Sequence, residues 1–284
     1  MTASEDASGV LLIAATPIGN PGDASARLVE ALGSADLVAA EDTRRLHRLC
    51  QALGVTPRGR VVSCYEHNEE ARAAEVVEAV AAGRTVVLVS DAGMPSVSDP
   101  GYRLVRACVA AGLRVTVLPG PSAVLSALAL SGLPTDRFAF EGFPPRKPGE
   151  RARAFAALAA EPRTTVFFES PHRTAATLAA MRDALGAQRP AAVCRELTKT
   201  YEEVVRGPLA ELVAWAEQGE VRGEVCIVVG GAPPAPAADL DRLVTEAHEQ
   251  VAAGGRLKEV AGAIALREGI SRKLLYDAVL ASRG

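Results

Sequence analysis

The sequence predicts an α/β protein with two successive α/β regions followed by a short helical region. Short apolar runs that are typical of buried strands alternate with helical patterns through residues 10–118. A second series of such runs and patterns follows a Pro-Gly-Pro-Ser break at residues 119–122. A proline- and alanine-rich stretch at residues 232–238 then precedes three short helical patterns.

The first region contains apolar runs that predict strands at residues 10–14, 36–40, 61–64, 86–89 and 115–118. Helical patterns at residues 24–32, 43–53 and 69–82, and one beginning near Tyr102, separate them. Strands that alternate with helices favour a parallel sheet, which we therefore predict here. Ser98 or Asp99 is expected to cap the helix that begins near Tyr102.

The second region begins with a helix of small residues at 123–130 and continues with strands at 138–142, 165–168, 191–195 and 225–229. Helices are expected at residues 149–160, 174–185 and 208–217. Residues 232–238 are read as a semi-rigid linker, and helices at 240–253, 257–266 and 272–280 follow it. We therefore divide the chain into two α/β domains, 9–120 and 121–231, and a helical appendage at 239–284.

The composition excludes several classes of protein. A formal net charge of −3 argues against extensive electrostatic coating of nucleic acid. The five cysteines form no Cys-x-x-Cys pair and the histidines are scattered, so we expect no metal site, no disulfide framework and a cytoplasmic location. The sequence has no G-x-G-x-x-G, Walker A or G-x-S-x-G motif, and no stretch near the ~20 apolar residues of a membrane helix.

The loop after the fourth predicted strand, residues 90–101, is the most informative segment. It combines a carboxylate at Asp91 with two glycines and two prolines. In an open α/β sheet, ligands bind beyond the carboxyl ends of the strands. A stiff loop with an acidic group and glycines that allow close backbone approach therefore predicts a small polar ligand.

Seven motifs carry a resemblance to a known family. Thr-Pro-Ile-Gly-Asn at 16–20, Glu-Asp-Thr-Arg at 41–44, Ser-Asp-Ala-Gly at 90–93 and Pro-Gly-Pro-Ser at 119–122 resemble the tetrapyrrole-methylase superfamily. Glu-Gly-Phe at 141–143, Glu-Ser-Pro-His-Arg at 169–173 and Arg-Glu-Leu-Thr-Lys at 195–199 resemble its 16S rRNA (cytidine-2′-O)-methyltransferases. The chain departs from the superfamily's Gly-Gly-Asp-Pro type of loop at residues 90–93, although Asp91 keeps the acidic position.

The resemblance implies two tetrapyrrole-methylase-like α/β domains with S-adenosylmethionine in the cleft between them, and 2′-O-methylation of a cytidine ribose in 16S rRNA. The implied partners are small-subunit rRNA or an assembled 30S subunit and a second copy of the chain, with no membrane. The residues implied to bind the cofactor are Pro17, Asp91, Ala92, Gly93, Met94, Val97, Ser122, Ala123, Phe168, Glu196 and Gly223.

Methylation of a ribose hydroxyl requires a group that withdraws its proton or a cation that stabilises the developing alkoxide. Candidate acceptors are Glu41 and Asp42, and candidate cationic helpers are Arg44, Arg173 and Lys199. Solvation or ion pairing is the alternative role of each. Two other functions stay open: a tetrapyrrole C-methyltransferase of the precorrin or uroporphyrinogen type, and a non-catalytic RNA-binding assembly factor.

Two segments could hold RNA. Residues 137–153 carry five basic and two acidic residues around Phe143, which predicts a protruding loop that contacts phosphate and stacks on a base. The alternative is a solvated connection between domains. Residues 254–284 resemble a helix-turn-helix with Gly269 at the turn and Ser271 as the cap. This helical pair could contact RNA or pack on its own chain.

Overall fold

The computed structural model describes residues 9–65, 67–233 and 239–282 of the chain. The structure divides into two compact units, one that ends at Ala232 and one that begins at Pro233. The described part of the first unit holds two five-stranded sheets with helices, which confirms the predicted α/β class. Residues 234–238 of the predicted linker lie outside the described residues.

The first sheet is entirely parallel, as predicted, and has the strand order β3-β2-β4-β1-β5. Its strands are β1 (Val10–Ala14), β2 (Leu37–Ala40), β3 (Arg60–Ser63), β4 (Thr85–Val89) and β5 (Arg114–Leu118). Its helices are α1 (Ala26–Ser34), α2 (Thr43–Leu53), α3 (Glu69–Ala81) and α4 (Tyr102–Ala110). Because β4 lies between β2 and β1, the loops that follow these three strands meet at one edge of the sheet.

Helices cover both faces of this sheet, which explains why its strands read as unbroken apolar runs. Val86 and Leu88 of β4 belong to the core beneath α3 and α4. Val87 and Val89 belong to the core beneath α1 and α2. The alternation of side chains along β4 therefore supplies two separate cores.

The second sheet is mixed and has the order β6-β7-β10-β8-β9, with β6 and β7 parallel and the other pairs antiparallel. Its strands are β6 (Phe138–Gly142), β7 (Thr164–Glu169), β8 (Pro190–Arg195), β9 (Glu203–Pro208) and β10 (Val225–Val229). Helices α6 (Pro148–Ala157), α7 (Thr174–Leu185) and α8 (Leu209–Glu217) pack on one face. Helix α5 (Ala123–Ser131) packs on the other face, through Val124 and Leu128.

Two features of the second sheet differ from the sequence predictions. Strand β9 was not predicted, because its two adjacent valines, Val204 and Val205, stand between charged residues on a short edge strand. The protruding loop predicted at residues 137–153 is shorter than predicted, because β6 and α6 occupy most of this range and Arg151 is buried, which leaves residues 143–147 between them. Pro148 suits the first turn of α6, where its missing N–H has no helical partner to lose.

The described part of the second unit consists of three helices, α9 (Leu240–Ala252), α10 (Leu257–Glu268) and α11 (Arg272–Ala281), around a small apolar core. Gly269 ends α10 with a φ of +68°, and the Ser271 hydroxyl accepts a hydrogen bond from Leu274 N. The predicted turn and cap are therefore confirmed. Within the described ranges, no helix has the length and apolarity that crossing a bilayer requires.

Candidate active site

A cleft with a cavity volume of about 360 Å³ opens between the two sheets of the first unit. Loops after β1, β4 and β5 form one wall. The ends of β7 and β8 and the start of β10 form the other, because β10 runs antiparallel to both. Its floor is apolar and includes Phe168, Cys194 and Cys226. The volume falls in the range of small-molecule sites, about 300–1,000 Å³.

Most of the residues predicted to bind a cofactor meet in this cleft. Those that line it are Ala92, Gly93, Met94, Val97, Ser122, Ala123, Phe168 and Gly223. Pro17, Asp91 and Glu196 do not belong to its lining. The strand-end rule therefore locates the cleft from the sequence, while the carboxylates of Asp91 and Glu196 bind other neighbours.

The loops after β1 and β4 are joined into one block. Thr16 N donates to Gly93 O at 2.9 Å, and Gly93 N donates back to Thr16 O at 3.0 Å. The Thr16 hydroxyl also donates to Ser90 O at 3.2 Å. Gly93 has a φ of +83°, a conformation that favours glycine, so the wall depends on this residue type.

Asp91 links the loops after β2 and β4. Its Oδ1 accepts a hydrogen bond from Asp42 N at 3.1 Å, and Arg45 Nε lies 3.4 Å from its Oδ2. In return, Asp91 N donates to Glu41 Oε2 at 3.1 Å. Burial raises the pKa of Asp91 and of Glu41. The carboxylate of Asp91 therefore serves the packing of two loops.

The predicted catalytic residues lie in two separate groups, and none of them lines the cleft. Asp42 caps α2 by accepting from Arg44 N at 2.8 Å, and the Arg44 side chain, 85% exposed, pairs with it. The hydrogen bonds from the Arg44 side chain hold the pKa of Asp42 well below its usual range. Lys199 Nζ instead lies 2.7 Å from Glu196 Oε1 and 3.3 Å from Glu224 Oε2.

Two loops beside the cleft have an unusual backbone. Ser96, Ser98, Glu196 and Thr198 have φ values of +71°, +64°, +51° and +66°. Among the described residues, every non-glycine residue with left-handed φ lies in one of these two loops. Such conformations cost about 1–3 kcal/mol each and cluster at functional sites.

Glycines allow close approaches both between the two walls and within one of them. A Cβ atom on Gly19 would lie 2.5 Å from Lys199 Cγ, and one on Gly223 would clash with the Glu196 carboxyl group. Asn20 N, next to Gly19, donates to the Thr198 hydroxyl at 3.2 Å. The loop after β1 is therefore packed against the loop after β8, which closes this side of the cleft.

Asp99 lines the cleft but is not among the site residues predicted from the sequence. The expectation that Ser98 or Asp99 caps α4 is wrong: Glu69 Oε1 accepts from Gly101 N at 2.9 Å and from Arg103 N at 2.7 Å. Glu69 comes from the start of α3, which local sequence cannot indicate. Asp99 instead lines the cleft.

Burial raises the pKa of Asp99 to about 7, and the negative charges of Glu41 and Asp91 add to the effect. A hydrogen bond from Ser90 acts in the opposite direction. A carboxyl group whose pKa is near 7 can either donate or accept a proton at neutral pH. The Ser98-Asp99-Pro100-Gly101 tetrapeptide beyond the Asp91 motif was the available signal in the sequence.

The turn after β6 carries an exposed aromatic ring to the cleft. Phe143 lines the cleft, is 58% exposed, and its ring centroid lies 5.6 Å from that of Phe168. Arg173 Nη2 holds this turn by donating to Pro144 O at 2.8 Å and Pro145 O at 3.2 Å. The same guanidinium lies 3.3 Å from the buried carboxylate of Glu169.

The chain is a two-sheet α/β protein with a ligand site. One sheet is parallel and the other is mixed, and a cleft of small-molecule size lies where their loops meet. Residues 10–213 match the family described as Tetrapyrrole (Corrin/Porphyrin) Methylases, and the chain belongs to this family. The predicted superfamily is thereby confirmed.

Close relatives have named activities. A protein of Mycobacterium bovis named Ribosomal RNA small subunit methyltransferase I is 54% identical over 277 residues, covering 97% of this chain and 96% of its own. One with the same name from Escherichia coli O157:H7 is 40% identical over 283 residues, 99% of this chain and 98% of its own.

The fold also resembles solved structures. The uroporphyrin-III C-methyl transferase of Thermus thermophilus, complexed with S-adenyl homocysteine, superposes with a TM-score of 0.54 at 21% identity. The match covers 78% of this chain and 96% of that one. At 21% sequence identity, this similarity shows that the two chains share a fold.

Proposed function

We propose that the chain is an S-adenosylmethionine-dependent methyltransferase that modifies the 2′-hydroxyl of a cytidine ribose in small-subunit rRNA. The observation that carries this proposal is the cleft, which gathers most of the implied cofactor residues from loops far apart in sequence. The nearly full-length similarity to methyltransferases of small-subunit rRNA supports the substrate class. Such a substrate favours a cytoplasmic location.

The cleft fits the cofactor in its chemistry. An apolar floor with Phe168 suits an aromatic base, while the Ser122 hydroxyl offers a polar group to a charged amino-acid end. The eight lining residues named above would hold the cofactor. When bound, S-adenosylmethionine supplies an activated methyl group on a sulfonium, so the protein mainly aligns the attacking oxygen and manages its proton.

The other predicted site residues act indirectly in this proposal. Glu41 and Asp91 fix the loops after β2 and β4 to each other. Asp42 caps α2 and pairs with Arg44, and Lys199 joins Glu196 to Glu224 beside the cleft. Pro17 stiffens the loop after β1. These interactions stiffen each wall of the cleft, which lowers the entropic cost of binding.

Substitution of Asp91 tests whether this residue acts indirectly, by fixing the loops after β2 and β4. We expect Asp91→Ala to lower the free energy of unfolding by about 1–3 kcal/mol, because Asp42 N and Arg45 lose a partly buried acceptor. Calorimetry should show that the variant still binds the cofactor, with an affinity reduced only as far as the loops after β2 and β4 have lost their order. A large loss of cofactor affinity in a fully stable variant would instead show direct contact.

The mouth of the cleft suits a nucleotide. Phe143 presents an exposed ring, and the next residues beyond the prolines, Arg146 and Lys147, are exposed cations. Aromatic rings and cations together bind single-stranded RNA through stacking and phosphate contact. RNA bound there would present a ribose to the cleft.

A homodimer is part of the proposal. Strand β5 forms an edge of the first sheet, and its Val117 is 44% exposed. Leu125 and Leu130 of α5 are also exposed apolar residues. Two-fold pairing is the commonest soluble assembly. Light scattering should report twice the mass of the chain at micromolar concentration, and a monomer would contradict this.

Transfer of a tritiated methyl group tests the activity. We expect the protein to label 16S rRNA or the assembled 30S subunit and to leave uroporphyrinogen unlabelled. Label on the tetrapyrrole would identify a C-methyltransferase. RNA binding without label on either substrate would identify a non-catalytic assembly factor.

A further inference from the structure

Three carboxylates of the described chain line the cleft, and two of them are already engaged. Glu169 Oε1 accepts from Ser170 N at 2.7 Å, and its Oε2 accepts from the Thr177 hydroxyl at 2.5 Å. Arg173 lies 3.3 Å from the same oxygen. Glu224 is 68% exposed and pairs with Lys199. Both carboxylates are therefore already paired with a cation.

Asp99 is the third carboxylate and has different surroundings. Across the described ranges, no lysine or arginine nitrogen lies within 4.0 Å of its oxygens. The groups that face it are Glu41 after β2, with Ser90 and Asp91 after β4. Arg45 pairs with Asp91 at 3.4 Å. Its neighbourhood is therefore acidic and partly buried, which favours uptake of a proton.

The loop that carries Asp99 is held from several sides. Ser96 N donates to Pro100 O at 3.2 Å, and Glu69 fixes Gly101 N. Ser96 and Ser98 on the N-terminal side have left-handed backbones. A side chain on so constrained a loop is positioned before ligands arrive, which is what a catalytic group requires.

We propose that Asp99 is the general base of the reaction and takes the proton of the ribose 2′-hydroxyl. This inference rests on the proposed function. The hydroxyl O–H bond breaks and its proton goes to a carboxylate oxygen of Asp99. The ribose oxygen forms a bond to the methyl carbon, whose bond to sulfur breaks with the electron pair going to sulfur. The products are a 2′-O-methyl ribose, a neutral thioether and a protonated Asp99, which releases its proton to water.

The acidic neighbourhood explains why Asp99 suits this role. A base is most effective when its pKa lies near the working pH, and burial together with Glu41 raises the pKa of Asp99 to about 7. Glu41, which sequence analysis offered as an acceptor, is here a positioning residue that acts on Asp99 by its charge. The rate should therefore rise with pH as Asp99 ionises.

The test compares Asp99→Asn with the wild-type chain and with Asp183→Asn, an exposed aspartate of α7 that pairs with Arg182. We expect Asp99→Asn to lower the rate of methyl transfer to 16S rRNA by about 100- to 10,000-fold. Calorimetry should show that S-adenosyl homocysteine binds Asp99→Asn as tightly as the wild type. The pH–rate profile should rise through about pH 7 in the wild type and in Asp183→Asn, and be flat in Asp99→Asn.

Two results would overturn the assignment. An unchanged rate in Asp99→Asn would exclude a base at this position, and loss of S-adenosyl homocysteine binding would make Asp99 a cofactor ligand instead. If Asp99→Asn does not fold, Asp99→Glu decides: it should stay active with a displaced pH midpoint, and an unmoved midpoint contradicts the proposal. Failure of the proposed function is distinct, because the wild-type chain would then leave 16S rRNA unlabelled.

Discussion

The carboxylate of Glu69 accepts a hydrogen bond from Gly101 N at 2.9 Å, across 32 residues of sequence. The same oxygen accepts from Arg103 N at 2.7 Å, so Glu69 caps the first turn of α4. Glu69 is almost fully buried and begins α3. The cap of α4 is therefore provided by α3, and Asp99 lines the cleft instead of capping a helix.

Glu69→Ala should lower the free energy of unfolding by about 1–3 kcal/mol, because two backbone donors at the start of α4 lose their acceptor. Glu70→Ala is the matched control, since Glu70 is 89% exposed and pairs only at the surface with Arg103. We expect the control to change stability by less than about 1 kcal/mol. Urea unfolding measures both, and equal effects would contradict the buried cap.

Asp99→Asn should change stability in a way that depends on pH. The pKa of Asp99 is raised from 3.8 to about 7 by burial, so the folded chain binds more protons than the unfolded chain between these values. Stability therefore falls as pH rises from about 4 to 7, and this loss is absent when the side chain cannot ionise. We expect Asp99→Asn to match the wild type near pH 4 and to melt at a higher temperature near pH 8.

A melting temperature of Asp99→Asn at or below that of the wild type at pH 8 would contradict the raised pKa. Asp183→Asn provides the comparison for removal of an exposed carboxylate. A stabilised but inactive Asp99→Asn would show the trade-off between stability and activity that is common at catalytic sites.

Phe143→Ala should weaken RNA binding by about 1–3 kcal/mol, the usual contribution of one stacked base. Phe143→Trp should retain binding, because it keeps an aromatic face. Phe138→Ala is the matched control: Phe138 is also exposed, begins β6, the strand before the Phe143 turn, and does not line the cleft. Fluorescence anisotropy with a small-subunit RNA fragment distinguishes them, and equal losses of affinity at both positions would exclude specific stacking.

The second unit should bind phosphate groups of the RNA. Lys258, Arg272 and Lys273 are exposed, and none has an acidic partner within 4.0 Å in the described chain. Replacing all three by alanine, or deleting residues 239–284, should weaken RNA binding. The slope of log affinity against log salt should become shallower by about 0.7 for each phosphate that is no longer neutralised. Cofactor affinity should not change.

Arg222→Ala is the control for this prediction, since Arg222 is an exposed arginine of the first unit already paired with Glu220 at 2.8 Å. If the triple variant binds RNA with an unchanged salt slope, the helices of the second unit pack only on their own chain. If the chain without residues 239–284 no longer binds the cofactor, the boundary near Ala232 is wrong.

Local patterns predicted the elements and the position of the cleft well, because parallel strands direct their following loops to one edge of a sheet. They did not predict which aspartate faces the cleft. Asp91 follows β4 directly, yet its carboxylate is held by Asp42 N and Arg45. Asp99, eight residues later, takes the cleft position because Glu69 supplies the cap of α4. Both outcomes depend on interactions between distant segments, which periodicity and spacing cannot show.

Methylation of a ribose oxygen of small-subunit rRNA in this cleft is tested most directly by mass spectrometry. The nucleosides are released from 16S rRNA or 30S subunits after reaction with deuterated-methyl S-adenosylmethionine. We expect labelled 2′-O-methylcytidine with the wild-type chain and about 100- to 10,000-fold slower labelling with Asp99→Asn. Label on a base, or no labelled nucleoside from either RNA substrate, would contradict the proposed activity.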